Sequence, residues 1–295
     1  MAALHEPVLV AETLALLAPE RGGLFVDCTV GLGGHSRALL EHGATQVLGL
    51  DRDPEALAMA ARELSTFGDR VELVHADYRT LDQVLDGRGI SGVAGALADL
   101  GVSSMQLGTE GRGFSFQRDE PLDMRMDRSD GAPLSALLRE VGEEELANLI
   151  FEYGEERYSR RIARAIVRAH ASGPIATTGQ LAQIVRRAIP SRGYQRIDPA
   201  TRTFQALRIW VNRELDGLDA FLRGAAQRLL AGARLAVIAF HSLEDRIVKH
   251  TFRALAQAET AVRVVTKRPL EADEAEVARN PRARSAKLRA IERLA

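Results

Sequence analysis

The stretch Leu24-Phe25-Val26-Asp27-Cys28-Thr29-Val30-Gly31-Leu32-Gly33-Gly34-His35-Ser36-Arg37-Ala38-Leu39-Leu40 runs from a short apolar segment through a glycine turn into a helical pattern. A parallel sheet builds a cofactor site in this order. Glycines let the backbone approach a ligand closely, and the first N–H groups of a helix are unpaired and favour an anionic group. The dinucleotide fingerprint G-x-G-x-x-G requires glycine at position 36, where this chain has Ser36. Taken alone, the turn fits either a nucleotide-like cofactor cradle or an ordinary strand-to-helix connection.

Working outward, the first hundred residues read as repeated strand and helix units. Strands are predicted at Leu24–Val26, Val47–Leu50, Val71–Val74 and Val93–Leu100, with helices from Ser36 and from Pro54 to Leu64. Short, mostly apolar strands are expected to be buried on both faces, as in a parallel doubly wound α/β sheet. After Leu100 the pattern stops. The next strand is predicted at Arg234–Phe240, preceded by a helical run from about Phe204 to Leu230. A crossover needs only a dozen or more residues, so the long gap reads as an insertion. It holds helical patterns at Leu134–Arg139, Glu143–Tyr153, Tyr158–His170 and Thr178–Ala188, punctuated by Pro133, Gly173-Pro174 and Pro190-Ser191-Arg192-Gly193. The expected organisation is a discontinuous α/β domain, 1–107 with 204–295, and a helical insertion over 108–203. Loops after parallel strands gather at the carboxyl edge, so the insertion is expected to rise over the cofactor crevice. Past Phe240 a helix from Leu243 to about Ala256 and strands at Ala261–Thr266 and Ser285–Ile291 are predicted.

With 295 residues and 46% hydrophobic content, the composition is that of an ordinary soluble globular protein. The one cysteine, Cys28, excludes an intrachain disulfide framework and reads as a small buried side chain. No C-x-x-C pair or H-E-x-x-H helix points to a metal, so none is expected. The apolar stretch from Val8 to Leu17 is interrupted by Glu12 and lacks a basic flank, which argues against a signal peptide, and no stretch is long enough for a membrane span. A reducing cytoplasmic setting is expected.

The net charge of -1 conceals an uneven distribution. Residues 1–107 hold 7 arginines against 15 acids, whereas Glu152 to Arg213 hold 12 arginines against 4 acids, and Arg279 to Ala295 hold 6 basic residues against one acid. An acidic cofactor half beside basic segments suits a polyanionic partner, although paired charges on solvated helix faces produce such runs too.

Three carboxylates punctuate the predicted strand ends: Asp51 after the second, Asp77 after the third and Asp99 after the fourth. An acid after strand two can accept both ribose hydroxyls, and one after strand three can serve an adenine amine. Single aspartates at strand ends are also common helix caps, and Asp53 before Pro54 reads as one. The ordered set, with a glycine turn that lacks the dinucleotide pattern, resembles a class I S-adenosylmethionine-dependent methyltransferase.

Longer stretches narrow the resemblance. The chain carries HEPVLVAE from His5, VGLGGHSR from Val30, LDRDPEAL from Leu50, DLGVSSMQL from Asp99 and RGFSFQRDEPLDMRMD from Arg112. It continues with YGEERYSRRIARAI from Tyr153, PATRTFQALRIWVNREL from Pro199, FHSLEDRIVK from Phe240 and NPRARSAKLRAIER from Asn280. Together these are similar to the small-subunit ribosomal RNA cytosine-N4 methyltransferase family, known as RsmH or MraW, over nearly the whole chain.

The resemblance implies methylation of the exocyclic amine of one cytosine near the decoding centre, with S-adenosylmethionine as cofactor and an assembled small ribosomal subunit as partner. It implies a cofactor site of Gly33, Gly34, His35, Asp51, Tyr78, Asp99 and Gln106, Tyr78 standing where relatives commonly have phenylalanine. The amine is a poor nucleophile because its lone pair is delocalised, so an acceptor must hold its hydrogens, and Asp99 is the expected catalytic residue. Asp123, Arg125, Arg202 and His241 are candidate substrate contacts, and the inserted domain is expected to recognise RNA. Read without the family, Asp123 and Arg125 fit internal salt bridges, Arg202 a helix-start charge, and His35 and His241 ordinary element ends. Two other classes compete. A serine hydrolase is suggested by Gly101-Val102-Ser103-Ser104-Met105 and by His241 with Glu244 and Asp245, but Met105 breaks the G-x-S-x-G elbow. A non-catalytic ribosome assembly factor that keeps a cofactor pocket is the other.

Overall fold

The computed structural model describes residues 7–190, 198–258 and 261–294, and the side chain of Ser104 is outside that description. The first two residues of the HEPVLVAE stretch, and Ser191-Arg192-Gly193 of the expected punctuation, therefore lie outside the described residues. The chain divides into two compact units, Met1–Gly101 with Leu215–Ala295, and Val102–Glu214.

The first unit begins with α1 (Val10–Leu17), β1 (Leu24–Asp27), α2 (Gly34–Glu41), β2 (Gln46–Asp51), α3 (Pro54–Glu63), β3 (Val71–His75), α4 (Leu81–Asp86) and β4 (Val93–Asp99). The second contains α5 (Ser104–Gly108), α6 (Leu134–Glu140), α7 (Glu143–Gly154), α8 (Ser159–Ser172), α9 (Thr178–Ala188) and α10 (Ala200–Asn212). The first resumes with α11 (Leu218–Gln227), β5 (Leu229–Ala239), α12 (Ser242–Ala258), β6 (Val262–Val264), α13 (Glu274–Arg279) and β7 (Lys287–Arg293).

Among the described residues seven strands form one sheet in the order β3-β2-β1-β4-β5-β7-β6. Strands β1 to β5 are parallel, and β7 is antiparallel to both β5 and β6. This is the Rossmann-like class I methyltransferase architecture, and both faces are covered, as a parallel sheet requires. One face packs Val26, Leu48, Ala96 and Val237 against Leu85 of α4, Leu222 of α11 and Phe252 of α12. The other packs Phe25, Val47, Leu97 and Ile238 against Leu16 and Leu17 of α1 and Leu39 of α2. Gly95 of β4 is fixed by that second face, since a Cβ there would meet the Phe25 ring at 2.6 Å.

The second unit has its own core, made by Leu146 and Ile150 of α7, Ile162 and Ile166 of α8, Leu181 and Val185 of α9, and Phe204 and Leu207 of α10. Its helices start where the polar residues dictate. Thr177 and Gln180 form a capping box on α9, each side chain satisfying the other's backbone N–H.

Several expectations need correction. The single helical run from Phe204 to Leu230 is two helices, because Arg213 adopts a left-handed conformation with φ of 49° and closes α10 with hydrogen bonds to Ile209 and Trp210. Leu229 and Leu230 belong to β5, which begins five residues before the predicted Arg234 and shifts register between Val93 and Gly95. The final strand runs Lys287–Arg293 rather than Ser285–Ile291, because Pro281–Ser285 forms a 3-10 turn capped by Asn280. The expected boundary at 203/204 leaves most of α10 outside the insertion, whereas its apolar face completes the α7–α9 core.

Candidate functional site

Asp27, Asp51 and Asp99 are the last residues of β1, β2 and β4, three adjacent strands, so three carboxylates share the carboxyl edge of the sheet. Each is held by neighbours that the local fold supplies. Asp27 is fully buried and accepts 2.7 Å from the Ser36 hydroxyl of α2 and 3.2 Å from the Thr29 N–H. Burial raises its pKa to about 6 despite both bonds. Asp51 accepts from the Gly31 N–H at 2.7 Å on one oxygen and from the Asp53 N–H at 2.8 Å on the other. Burial, with the charges of Asp53 and Asp27, outweighs these bonds and raises it to about 6.

Asp99 is the most perturbed of the three. Burial raises its pKa to about 8, the Arg282 guanidinium pulls it down, and the charges of Asp27 and Glu244 push it up. Its backbone N–H donates to Thr29 Oγ1 at 2.6 Å, which ties the end of β4 to the loop after β1. The Asp99 Oδ2 lies 3.7 Å from His35 Nε2. Its Oδ1 is buried with no hydrogen-bond partner among the described residues. A buried acceptor left in this state is costly and suits a site that takes a polar ligand.

The glycine turn delivers His35 to this edge. Gly33 is the N-cap of α2 with φ of 86°, a conformation glycine tolerates, and a Cβ on it would meet Leu64 at 3.0 Å. A Cβ on Gly34 would meet the Pro7 ring at 2.8 Å. Packing against the protein thus already requires both glycines. Ser36, the residue that broke the dinucleotide pattern, spends its hydroxyl on Asp27. Cys28 is buried and its thiol pKa is raised by burial, so it is an inert filler of the core.

The remaining expected residues divide between the two units. Tyr78 follows β3 on a 3-10 turn, and its ring packs on Phe221 of α11 with centroids 4.6 Å apart. Asp77 caps that turn and is bound by Arg79 at 2.6 and 2.8 Å, with Arg52 3.7 Å away. Burial pushes Asp77 up, but the Arg79 hydrogen bonds and the two cations outweigh it and hold the carboxyl below its ordinary range. It is a cap and ion-pair partner, a role the sequence left open beside an adenine contact. His241 lies between β5 and α12, with Nε2 3.2 Å from Glu244 Oε1.

In the second unit Gln106 is buried and forms a capping box with Ser103, its side-chain oxygen accepting from the Ser103 N–H at 2.9 Å. The Ser103 hydroxyl, which prompted the hydrolase reading, accepts from the Gln106 N–H. Asp123 and Arg125 engage each other through two bonds of 2.7 and 3.0 Å, and Arg125 also reaches the carbonyls of Arg128 and Gly131. Arg202 on α10 donates to the Glu155 carbonyl at the end of α7. For Asp123 and Arg125 the internal salt bridge is therefore the observed state.

Sequence reasoning missed Asp27, Thr29, Glu244 and Arg282 as members of this edge. Arg282 stands 183 positions beyond Asp99, and only the return of β7 into the sheet brings its charge to bear on that carboxyl. The quoted NPRARS stretch was the available signal. Among the described residues no helix is long and apolar enough to cross a membrane.

Comparison with known proteins shows the family. The chain is 48% identical over 307 residues to the ribosomal RNA small subunit methyltransferase H of Geotalea uraniireducens, covering 98% of both chains. It is 51% identical over 290 residues to the protein of that name from Sorangium cellulosum, covering 98% of this chain and 91% of the relative. Among solved structures, a putative rRNA methylase from Clostridium thermocellum aligns over 99% of this chain at 14% identity with a TM-score of 0.47. The model of the MraW methylase family matches residues 2–294, and the chain belongs to that family.

Proposed function

We propose that the protein transfers the methyl group of S-adenosylmethionine to the exocyclic N4 of one cytosine in small-subunit ribosomal RNA near the decoding centre, acting in the cytoplasm on an assembled subunit. The relatives' shared name supports the RNA class, and the resemblance set out above supports N4. The observation that carries the chemistry is Asp99, whose buried Oδ1 lacks a partner among the described residues at the end of β4.

The cofactor supplies an electrophilic methyl carbon on a cationic sulfur. Asp51 would hold the ribose, and the His35 turn with Gly33 and Gly34 would border the methionine part. Tyr78 would flank the adenine, and Gln106 is a cofactor contact by the resemblance alone. Asp99 accepts a hydrogen from the cytosine amine, which frees the nitrogen lone pair for in-line attack, and its raised pKa matches it to hold the released proton. An N4 engaged in a base pair offers no lone pair to the methyl, so the target is unpaired or flipped. The basic stretch from Glu152 to Arg213 recognises RNA, with Asp123 and Arg125 acting through the loop that they brace, and Arg202 and His241 contacting the strand.

The test is methyl transfer from labelled cofactor to small subunits and to naked small-subunit RNA, with the product mapped by nucleotide. Label in one cytosine N4 of the assembled subunit supports the reading. Cofactor binding without transfer to either substrate would instead favour the assembly-factor role.

A further inference from the structure

A second site lies on the first unit, away from the three aspartates. Lys249, Phe252 and Arg253 of α12, Val264 of β6, Thr266 and Lys267 after it, and Arg289 of β7 line a cavity of about 250 Å³. No aspartate or glutamate is among these residues. Arg289 is neutralised by Asp245, at 2.6 and 3.2 Å. The side chains of Lys249, Arg253 and Lys267 make no ion pair or hydrogen bond among the described residues. Lys249 and Lys267 are two of only three lysines in a chain whose other cations are all arginine. Four residues apart on α12, Lys249 and Arg253 stand on one helix face. Phe252 and Val264 supply an apolar floor between the cations. The Thr266 hydroxyl accepts from the Ala290 N–H at 2.9 Å, which leaves its own hydrogen to donate.

The sheet places this cavity relative to Asp99. Both β5 and β6 are antiparallel to β7, so they run in the same direction, and Thr266 and Lys267 follow β6 at the edge where Asp99 ends β4. One rung of the sheet joins Ala98, next to Asp99 on β4, to Val237 and Val237 to Arg289 of the cavity. Two strand spacings amount to about 10 Å, comparable to the rise of about three stacked nucleotides.

We infer that this cavity binds the phosphodiester backbone of the RNA substrate a few nucleotides from the target base. The inference rests on the RNA methylation reading above and adds to it a docking point on the catalytic unit itself. Three unpaired cations suit successive phosphates, the Thr266 hydroxyl suits a phosphate oxygen, and the apolar floor suits a ribose or base face. Contacts of this kind fix register without reading sequence.

The experiment measures binding of the full-length protein to a fluorescent single-stranded RNA across a series of salt concentrations. The comparison is with Lys249→Gln/Arg253→Gln/Lys267→Gln. Each phosphate contact on a single strand contributes about 0.7 to the slope of log affinity against log salt, so the triple variant is expected to be shallower by about 2. Its affinity for S-adenosylmethionine, read by calorimetry, serves as the control for folding. Should the triple variant lose cofactor binding, the same slope is read on Arg253→Gln/Lys267→Gln, both at exposed positions, with an expected loss of about 1.4. An unchanged slope in a cofactor-binding variant overturns the inference. It leaves the methylation reading intact as long as wild-type protein labels small-subunit RNA. If wild-type protein transfers no methyl to RNA, the methylation reading fails and this inference falls with it.

Discussion

The Ser36 hydroxyl donates a 2.7 Å hydrogen bond to the Asp27 carboxylate, and both side chains are fully buried. It joins the first turn of α2 to the end of β1 at the position where a dinucleotide fold has its third glycine. Ser36→Ala strands a buried carboxylate and is expected to cost about 1–3 kcal/mol at pH 8. The pH dependence has a definite sign. Asp27 is raised to about 6 in the folded protein from 3.8, so its contribution to stability is fully present below pH 3.8 and is lost as pH rises through about 6. Below that range the carboxyl is neutral and the substitution costs less. Urea unfolding of both proteins at pH 5 and pH 8 checks this, and an equal cost at the two values contradicts it.

Asp99 gives the reaction a basic limb. Only its carboxylate form accepts a proton, so kcat/KM, which reports the free enzyme, is expected to rise about tenfold per pH unit and level above about 8. Asp99→Asn removes the limb and lowers kcat by about 100-fold or more. Near-normal turnover of the asparagine variant at saturating cofactor would remove Asp99 from the chemistry.

Gly34→Ala forces a methyl group to within 2.8 Å of the Pro7 ring, which has no flexible end to move aside. The expected cost is about 1–3 kcal/mol, seen as a Tm lower by about 2–4 °C for each kcal/mol. Gly33→Ala costs more, because strain at φ of 86° adds to the 3.0 Å approach to Leu64. Differential scanning calorimetry ranks the two, and the reverse order would contradict the packing described.

Arg125 is a brace within the second unit. Arg125→Lys retains charge but loses the two-pronged hold on Asp123, so it is expected to destabilise nearly as much as Arg125→Ala. In a double-mutant cycle with Asp123→Asn the two losses are expected to be strongly non-additive. Additive losses in chemical unfolding would mean that the pair contributes no coupling.

Much of the sheet was legible because its strands are short and apolar and end in aspartate, and the α7 to α9 helices because their apolar residues recur at helical spacing. The Asp53 cap was legible too, since Asp-Pro at a helix start has a local meaning, and Asp53 accepts from the Glu55 and Ala56 N–H groups. What failed was non-local. The break after Asn212 depends on Arg213 adopting a conformation that its residue type does not announce. The antiparallel seating of β7 between β5 and β6 is a topological fact that no window of sequence contains. The same holds in the site. Asp51 and Asp99 stood out by spacing, whereas Arg282 and Glu244 act on Asp99 through tertiary placement.

That seating of β7 also fixes an order of assembly. Among the described residues strand β6 pairs only with β7, which follows it in the chain, so β6 leaves the ribosome before the strand that can hold it. Until Lys287–Arg293 emerges, β5 presents an open edge and the residues of β6 wait unpaired. A translation stop between Val264 and Lys287 therefore strips two strands from the sheet, and with β7 goes Arg289 of the cationic cavity.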